Sequence, residues 1–355
     1  MTPVCRYYTT MLFLFPPVKI RIFPVIMLIL FSLGGKICAQ SLVMPLSAGG
    51  NDPIRKSKPY FPTAYFTDFL YARYAEDAGR PYWAETEGEF LAAAAQVPQE
   101  SILLNNDILA FYGHPNSKNM GILGRFTKEE LNAKLDDLTA EYAAAGGRNV
   151  QKAFYIIFGT VWPGGDIGII QESLLKQYLD FALDKGILVF LDHQIGRFTP
   201  ADSIKRMLPW LKYPNVHLAL DPEWRTTKPM QEIGAVTAEE INQVQRIMED
   251  YMIENQIPGE RLLVIHQFNY RMISNRDKVD SSSSRVRLVH CADGFGNPQI
   301  KKATYAYNAQ AANMPVKGFK LFYNFGIPGA GYDSPLLSPK EVYDLSPRPY
   351  IIMYQ

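Results

Sequence analysis

The stretch Val216-His217-Leu218-Ala219-Leu220-Asp221-Pro222-Glu223-Trp224 combines an apolar run with carboxylates placed just where the run stops. Period-two alternation sets His217, Ala219, Asp221 and Glu223 on one face and Leu218 and Leu220 on the other. The leucines suit a face covered by helices. The carboxylates then point the opposite way, off the carboxyl end of a strand buried on both sides, which is the habit of parallel strands.

Seven further runs share this character, at 108–113, 153–159, 187–192, 262–267, 286–292, 319–324 and 350–354. Amphipathic stretches with start signals separate them. Thr127 with Glu130 and Thr237 with Glu240 are capping boxes, Ser338-Pro339-Lys340-Glu341 is a third with proline in the first turn, and 171–185 and 201–213 complete the regular set. The helices after the fifth and sixth strands look short. Eight parallel strands alternating with helices predict an α/β fold, a (β/α)8 TIM-like barrel over 107–355, with an open doubly wound sheet as the competing arrangement. Residues 40–106 read as a flexible lead-in followed by a short N-terminal helical extension that covers the bottom or flank of the barrel.

Residues 1–39 differ from the rest: they hold Arg6, Lys19, Arg21 and Lys36, no acid, and an almost wholly apolar run at 22–33. This is the layout of a signal peptide, with cleavage expected near Ala39 or Gln40, so an exported protein is expected, periplasmic, cell-surface or secreted. Pro24 interrupts the run and its length falls short of a spanning helix, which argues against a permanent membrane span. Gly35-Lys36-Ile37 before Cys38 is a poor lipid-attachment site. Cleavage leaves Cys291 as the one cysteine and moves the formal charge from +1 to about −3. No disulfide framework and no basic patch for nucleic acid follow from that composition.

Reactive groups of such a barrel gather at strand ends and in the loops behind them. Four of the five histidines fall there (His114, His193, His266, His290). Glu223, Asp192, Asp221 and His266 are the candidate catalytic residues. His114, Tyr112, Gln194, Trp224, Gln267, Asp293, Lys320 and Tyr323 are candidate substrate-binding residues. Each has a plainer alternative: Asp221 capping the next turn, Glu223 pairing with Arg225 or Arg197, Asp192 pairing with Arg197, His266 as a satisfied core histidine, and Cys291 as packing. His114 lies in a glycine- and asparagine-rich loop, 113–124, whose flexibility suits a lid. There is no His-Glu-x-x-His, Gly-x-Ser-x-Gly, Walker loop or dinucleotide glycine fingerprint.

Phe111-Tyr112-Gly113-His114-Pro115, Leu220 to Trp224, His266-Gln267-Phe268, Ala292-Asp293-Gly294 and Tyr354-Gln355 together resemble a group of exported bacterial TIM-barrel proteins of uncharacterised function. Some members of that group are lipoproteins or carry cell-wall-binding repeats. The resemblance implies export, the barrel fold and matching Asp192 and Gln194, with His193 a departure. The general appearance is similar to glycoside hydrolases.

Carboxylates, amides and aromatics at a barrel mouth are the groups that glycoside cleavage uses, so the leading expectation is an exported hydrolase acting on a carbohydrate or cell-envelope substrate, with no cofactor. A metal-dependent hydrolase or phosphodiesterase is the alternative, with one or two divalent cations on His114, Asp221, Glu223, His266 and Asp293. A non-catalytic envelope protein that binds a glycan or peptide in the same pocket is the third.

Overall fold

The computed structural model describes residues 101–355 apart from Asn105, Gly147 and Arg148. The signal peptide expected at 1–39, and residues 40–100 of the lead-in and helical extension expected at 40–106, lie outside the described residues.

The barrel strands are β1 (Asn106–Gly113), β2 (Asn149–Val161), β4 (Leu188–Gln194), β5 (Val216–Asp221), β7 (Arg261–His266), β9 (Val286–Ala292), β10 (Lys317–Leu321) and β11 (Ile351–Tyr354). All run parallel in the order β1-β2-β4-β5-β7-β9-β10-β11, and β11 pairs back onto β1 with Ile108 opposite Ile351 and Phe111 opposite Tyr354. That last pairing closes the (β/α)8 barrel and rules out the open sheet. The eight expected runs all became strands because each is buried on both faces. Inward residues such as Ile108, Tyr155, Phe190, Val264 and Met353 form one apolar cluster inside the barrel. Outward residues such as Leu109, Phe154, Leu191, Leu218 and Ile352 form a second cluster with the helices.

The surrounding helices are α1 (Lys128–Gly146), α2 (Glu172–Asp184), α3 (Pro200–Met207), α4 (Ala238–Glu254), α5 (Pro298–Ala309) and α6 (Pro339–Tyr343). The three expected capping boxes are present at Thr127, Thr237 and Ser338. Thr199 with Asp202 forms a fourth that the sequence reading passed over. After β7 there is no α-helix among the described residues, only 3-10 turns and a two-residue strand, β8 (Ile273–Ser274), paired with β6 (Val236–Thr237). After β9, however, α5 is a regular 12-residue helix, against the expectation of a short one. Its buried face carries Lys301 and Asn308 beside Tyr305, so polar residues hide the amphipathic pattern.

Three local features position the site. Ile102 and Leu103, in the 3-10 turn Ile102–Leu104, belong to the apolar cluster inside the barrel and seal its amino-terminal end. Strand β2 runs beyond the barrel and folds back as a hairpin with β3 (Ile167–Ile169). The loop 113–124 is compact rather than lid-like: Gly113 bridges Gly121, and a side chain on Gly121 would meet the Tyr112 carbonyl at 2.3 Å. Its glycines allow close backbone approach and two positive φ angles, 154 and 99. No described helix is long and apolar enough to cross a membrane.

Candidate active site

Inward positions at the carboxyl ends of seven strands converge on one buried polar cluster. Tyr112 from β1 and Tyr155 from β2 stand side by side, ring centroids 5.3 Å apart. Asp192 is inward on β4, Asp221 ends β5, and Glu223 follows in the 3-10 turn Pro222–Trp224. His266 ends β7, Asp293 follows β9, and Lys320 is inward on β10. Asp192, Asp221, His266, Asp293 and Lys320 are all buried, and Glu223 is partly so.

Short polar contacts organise them in two groups. The Tyr112 hydroxyl donates to Asp192 Oδ2 at 2.8 Å, and the Lys320 ammonium lies 3.7 Å from the centre of the Tyr112 ring. His266 lies between Tyr155, whose hydroxyl is 2.8 Å from Nε2, and Asp293, whose Oδ2 is 3.2 Å from Nδ1. Asp221, Glu223 and Asp293 each bring one oxygen to within 4.8 Å of the others. Asp192 Oδ1 and Asp293 Oδ1 are buried without a hydrogen-bond partner.

Four carboxyls therefore share the cluster with two basic groups, and three of the acids, Asp192, Asp221 and Glu223, are pushed toward their protonated forms. Burial raises Asp221 well above the usual carboxylate range, and the neighbouring Asp293, Asp192 and Glu223 add to it. Burial raises Asp192 as well, against the pull of His266 and Lys320. Glu223 is pushed up to about 7, first by burial and then by Asp293. His266 shifts the other way: burial alone would lower it, but contact with Asp293 and Cys291 raises it well above its ordinary value. The cluster thus holds a Glu223 that is about half protonated at neutrality, with Asp293 beside a His266 raised toward its cationic form.

The partners expected for these acids are elsewhere. Arg197 pairs with Asp166 in the β2–β3 hairpin at 2.7 Å, and Arg225 pairs with Glu240 at 2.7 Å, so neither neutralises Asp192 or Glu223. The plain role for Asp221 does hold, since its Oδ1 accepts from the Glu223 amide at 3.3 Å.

Not every candidate joins the cluster. Gln267 is one residue past inward His266 and faces the helices, where it bonds His290 and Arg276. Tyr323 packs against Tyr354 and Phe325 in the outer layer. His114 is half-buried, with Nδ1 accepting from the Asn116 amide, and is not in the convergent acidic group. Gln194 accepts from the Val161 amide at 2.8 Å, tying β4 to the hairpin. Trp224 is partly buried in the turn that carries Glu223. His193 faces outward, its ring lying over Gly159, where a Cβ would come within 2.8 Å, and burial lowers it to about 4. Cys291 is buried and its thiol is pushed up by burial, as suits packing. Tyr155 was missed, because a tyrosine inside an apolar strand looks like core until its hydroxyl partner is known.

No known protein-family profile and no curated protein matches the chain. Among solved structures it is similar to oxaloacetate acetylhydrolase bound to 3,3-difluorooxalacetate, at 14% identity and TM-score 0.38, over 57% of this chain and 67% of that one. A GH5_18 protein from Streptomyces cattleya bound to Manb1-4GlcNAc aligns at 15% identity and TM-score 0.38, over 70% of each chain. A chitinase from Chromobacterium violaceum aligns at 10% identity and TM-score 0.35, over 60% of this chain and 68% of that one. Similarity this slight assigns neither a family nor a reaction.

Proposed function

We propose that the chain is an exported hydrolase that cleaves a glycosidic bond in a carbohydrate or cell-envelope substrate by carboxylate acid/base catalysis. The observation that carries this reading is Glu223, raised to about 7 and brought within 4.8 Å of an oxygen of Asp293, which itself lies beside His266. A carboxyl held near its protonated form beside a second carboxyl supplies the two groups that glycoside cleavage uses.

Glu223 protonates the leaving oxygen while an Asp293 oxygen attacks the anomeric carbon and the bond to the leaving sugar breaks. Water then attacks that carbon, Glu223 takes the water's proton, and Asp293 is released as carboxylate. The nearest oxygens of the two residues lie within 4.8 Å, close enough for both to act on one glycosidic bond. Asp293 is assigned the second role rather than Asp192 or Asp221, because burial raises those two toward the protonated form whereas an Asp293 oxygen lies 3.2 Å from the His266 ring. Asp192 Oδ1 and Lys320 are left to receive sugar hydroxyls.

Glu223→Gln tests the assignment. Release of reducing ends from purified cell-wall glycan should fall by about 10²-fold or more, with much less effect on an aryl glycoside whose leaving group needs little protonation, in a variant that still unfolds cooperatively. Full activity of the variant on the glycan, or no glycan cleavage by the native chain, would sink the proposal. The latter outcome, with binding retained, would leave a glycan-binding envelope protein. The export component is checked by sequencing the mature amino terminus, expected near residue 40.

The three convergent oxygens also favour a second reading, a divalent cation held by Asp221, Glu223 and Asp293. Hard oxygen donors at this spacing suit Mg2+ or Ca2+, and the partnerless oxygens of Asp192 and Asp293 fit it. Such an ion would supply Lewis-acid polarisation or an activated water. Stoichiometric metal in protein purified without chelator supports this reading over the first.

A further inference from the structure

A concavity lies on the far side of the turn that carries Glu223, lined by none of the acidic cluster. It is a cleft of about 340 Å3 walled by the loop after β4, with Arg197 and Thr199, and by the loop after β5, with Arg225, Thr226 and Glu232. Main-chain hydrogen bonds fix these walls to each other: Gly196 donates to the Trp224 carbonyl, Arg197 to Gly165, and Gly164 to Thr227, each at 2.9 Å. The walls are also fixed to the catalytic turn. The Gly234 amide, next to the cleft residue Ile233, donates to the Glu223 carbonyl at 2.6 Å, and a Cβ on Gly234 would strike Pro222 and Arg225 backbone at 2.5 to 2.6 Å. The cleft and the proposed acid are therefore two sides of one rigid turn.

The charge of the cleft is uneven. Its acid, Glu232, is bound by Lys228 at 2.9 Å and by the Thr226 hydroxyl at 3.2 Å. Arg225 uses Nη1 for the Ala235 carbonyl and Glu240, so its Nε and Nη2 have no partner among the described residues. Arg197 uses Nη2 on Asp166 in a pair whose side chains are 56% and 60% exposed, an arrangement worth little and easily exchanged for a better anion. Two guanidiniums with free N–H groups, one firmly oriented and one exchangeable, match the planar oxygens of a carboxylate or phosphate.

We propose that this cleft binds the sugar on the leaving-group side of the scissile bond and selects an oxyanion on it, a carboxylate or a phosphate, through Arg225 and Arg197. The side follows from chemistry: Glu223 protonates the leaving oxygen, so the groups on its turn face the leaving sugar. The assignment of the side rests on the hydrolase reading, while the oxyanion site stands on the cleft itself.

The test measures binding in the full chain carrying Glu223→Gln, so that turnover does not interfere. The probes are a hexasaccharide alternating glucuronate with N-acetylglucosamine, an oligomer of glycerol phosphate, and neutral chitin hexasaccharide. At least one anionic probe should bind about tenfold or more tighter than the neutral one, weakening as salt rises. Which of the two prevails identifies the source of the oxyanion. Arg197→Gln should weaken the anionic probe at least fivefold and leave the neutral probe unchanged, with Arg197→Lys recovering part of the loss. Arg225→Gln should do more, but it also frees Glu240, so the exposed Arg197 decides where Arg225→Gln fails to fold. Equal binding of neutral and anionic probes, binding of none, or an Arg197→Gln variant that binds the anion as before overturns the inference. Anion binding in a chain that hydrolyses no glycan would instead retire the hydrolase reading and leave the oxyanion site.

Discussion

The two ends of the barrel treat buried charge in opposite ways. At the amino-terminal end, Glu260 accepts from the Ser101 hydroxyl at 2.8 Å and meets Arg287 Nη2 at 2.7 Å, while fully buried Arg261 donates to the carbonyls of Pro258, Glu260 and Leu211. Acid there is matched to base. At the mouth, Asp192, Asp221, Glu223 and Asp293 outnumber His266 and Lys320, and two carboxylate oxygens are left without partners. Burying a charge without a partner is costly, so an arrangement that keeps doing it at one end, on a scaffold able to avoid it at the other, has been kept for something other than stability.

The largest expected effect lies at the matched end. Glu260→Ala strands Arg287 against the barrel floor, and removing one partner of a buried pair costs about 3 to 5 kcal/mol. Urea denaturation should show that loss, with glycan cleavage per folded molecule unchanged. A loss below about 1 kcal/mol would mean that the base is no better matched than the mouth.

Asp221→Asn probes the other end and should act with the opposite sign. The amide keeps an acceptor for the Glu223 amide and removes a carboxyl that burial and its acidic neighbours hold far above its ordinary pKa. At pH 8 the variant should gain on the order of 1 kcal/mol, read as a raised melting temperature, because the native chain must carry or neutralise that charge and the variant does not. A destabilisation approaching that of Glu260→Ala would erase the contrast between the two ends.

The barrel was legible because parallel strands buried on both faces leave continuous apolar runs, and val-, ile- and leu-rich stretches such as 216–221 and 286–292 coincide with strands residue for residue. Parity was legible too, but only where it was followed strictly. Period-two reading from inward His266 turns Gln267 outward, and from inward Lys320 it turns Tyr323 outward, which is where both lie. Ion pairing was not legible. Arg197 was matched to Asp192 by sequence proximity, yet its partner Asp166 sits in a hairpin formed by the part of β2 beyond residue 159, which the apolar run does not reveal. Asp293 was visible as a polar residue behind a strand; its pairing with His266 depends on β7 and β9 being neighbours, with His266 opposite Cys291.

The most specific effect is the pH dependence of Glu223. Its pKa is about 7 in the folded chain against an ordinary 4.5, so the folded state holds this proton through a range in which the unfolded state has released it. Stability from this group is therefore fully present below about pH 4.5, declines as pH rises toward 7, and is level above. The slope from one group is at most about 1.4 kcal/mol per pH unit. Asp192 and Asp221 shift in the same direction, so the native curve alone mixes three groups. Subtracting the curve of Glu223→Gln from that of the native chain isolates the one that matters. The difference should favour the native chain progressively less between pH 4.5 and 7 and stay constant from 7 to 9. The same proton should set the alkaline limb of glycan cleavage, with activity falling about tenfold per pH unit above 7. A flat difference curve together with an alkaline limb would place the essential proton on another group of the cluster, Asp221 first, and Glu223 would then be the ionised member of the pair.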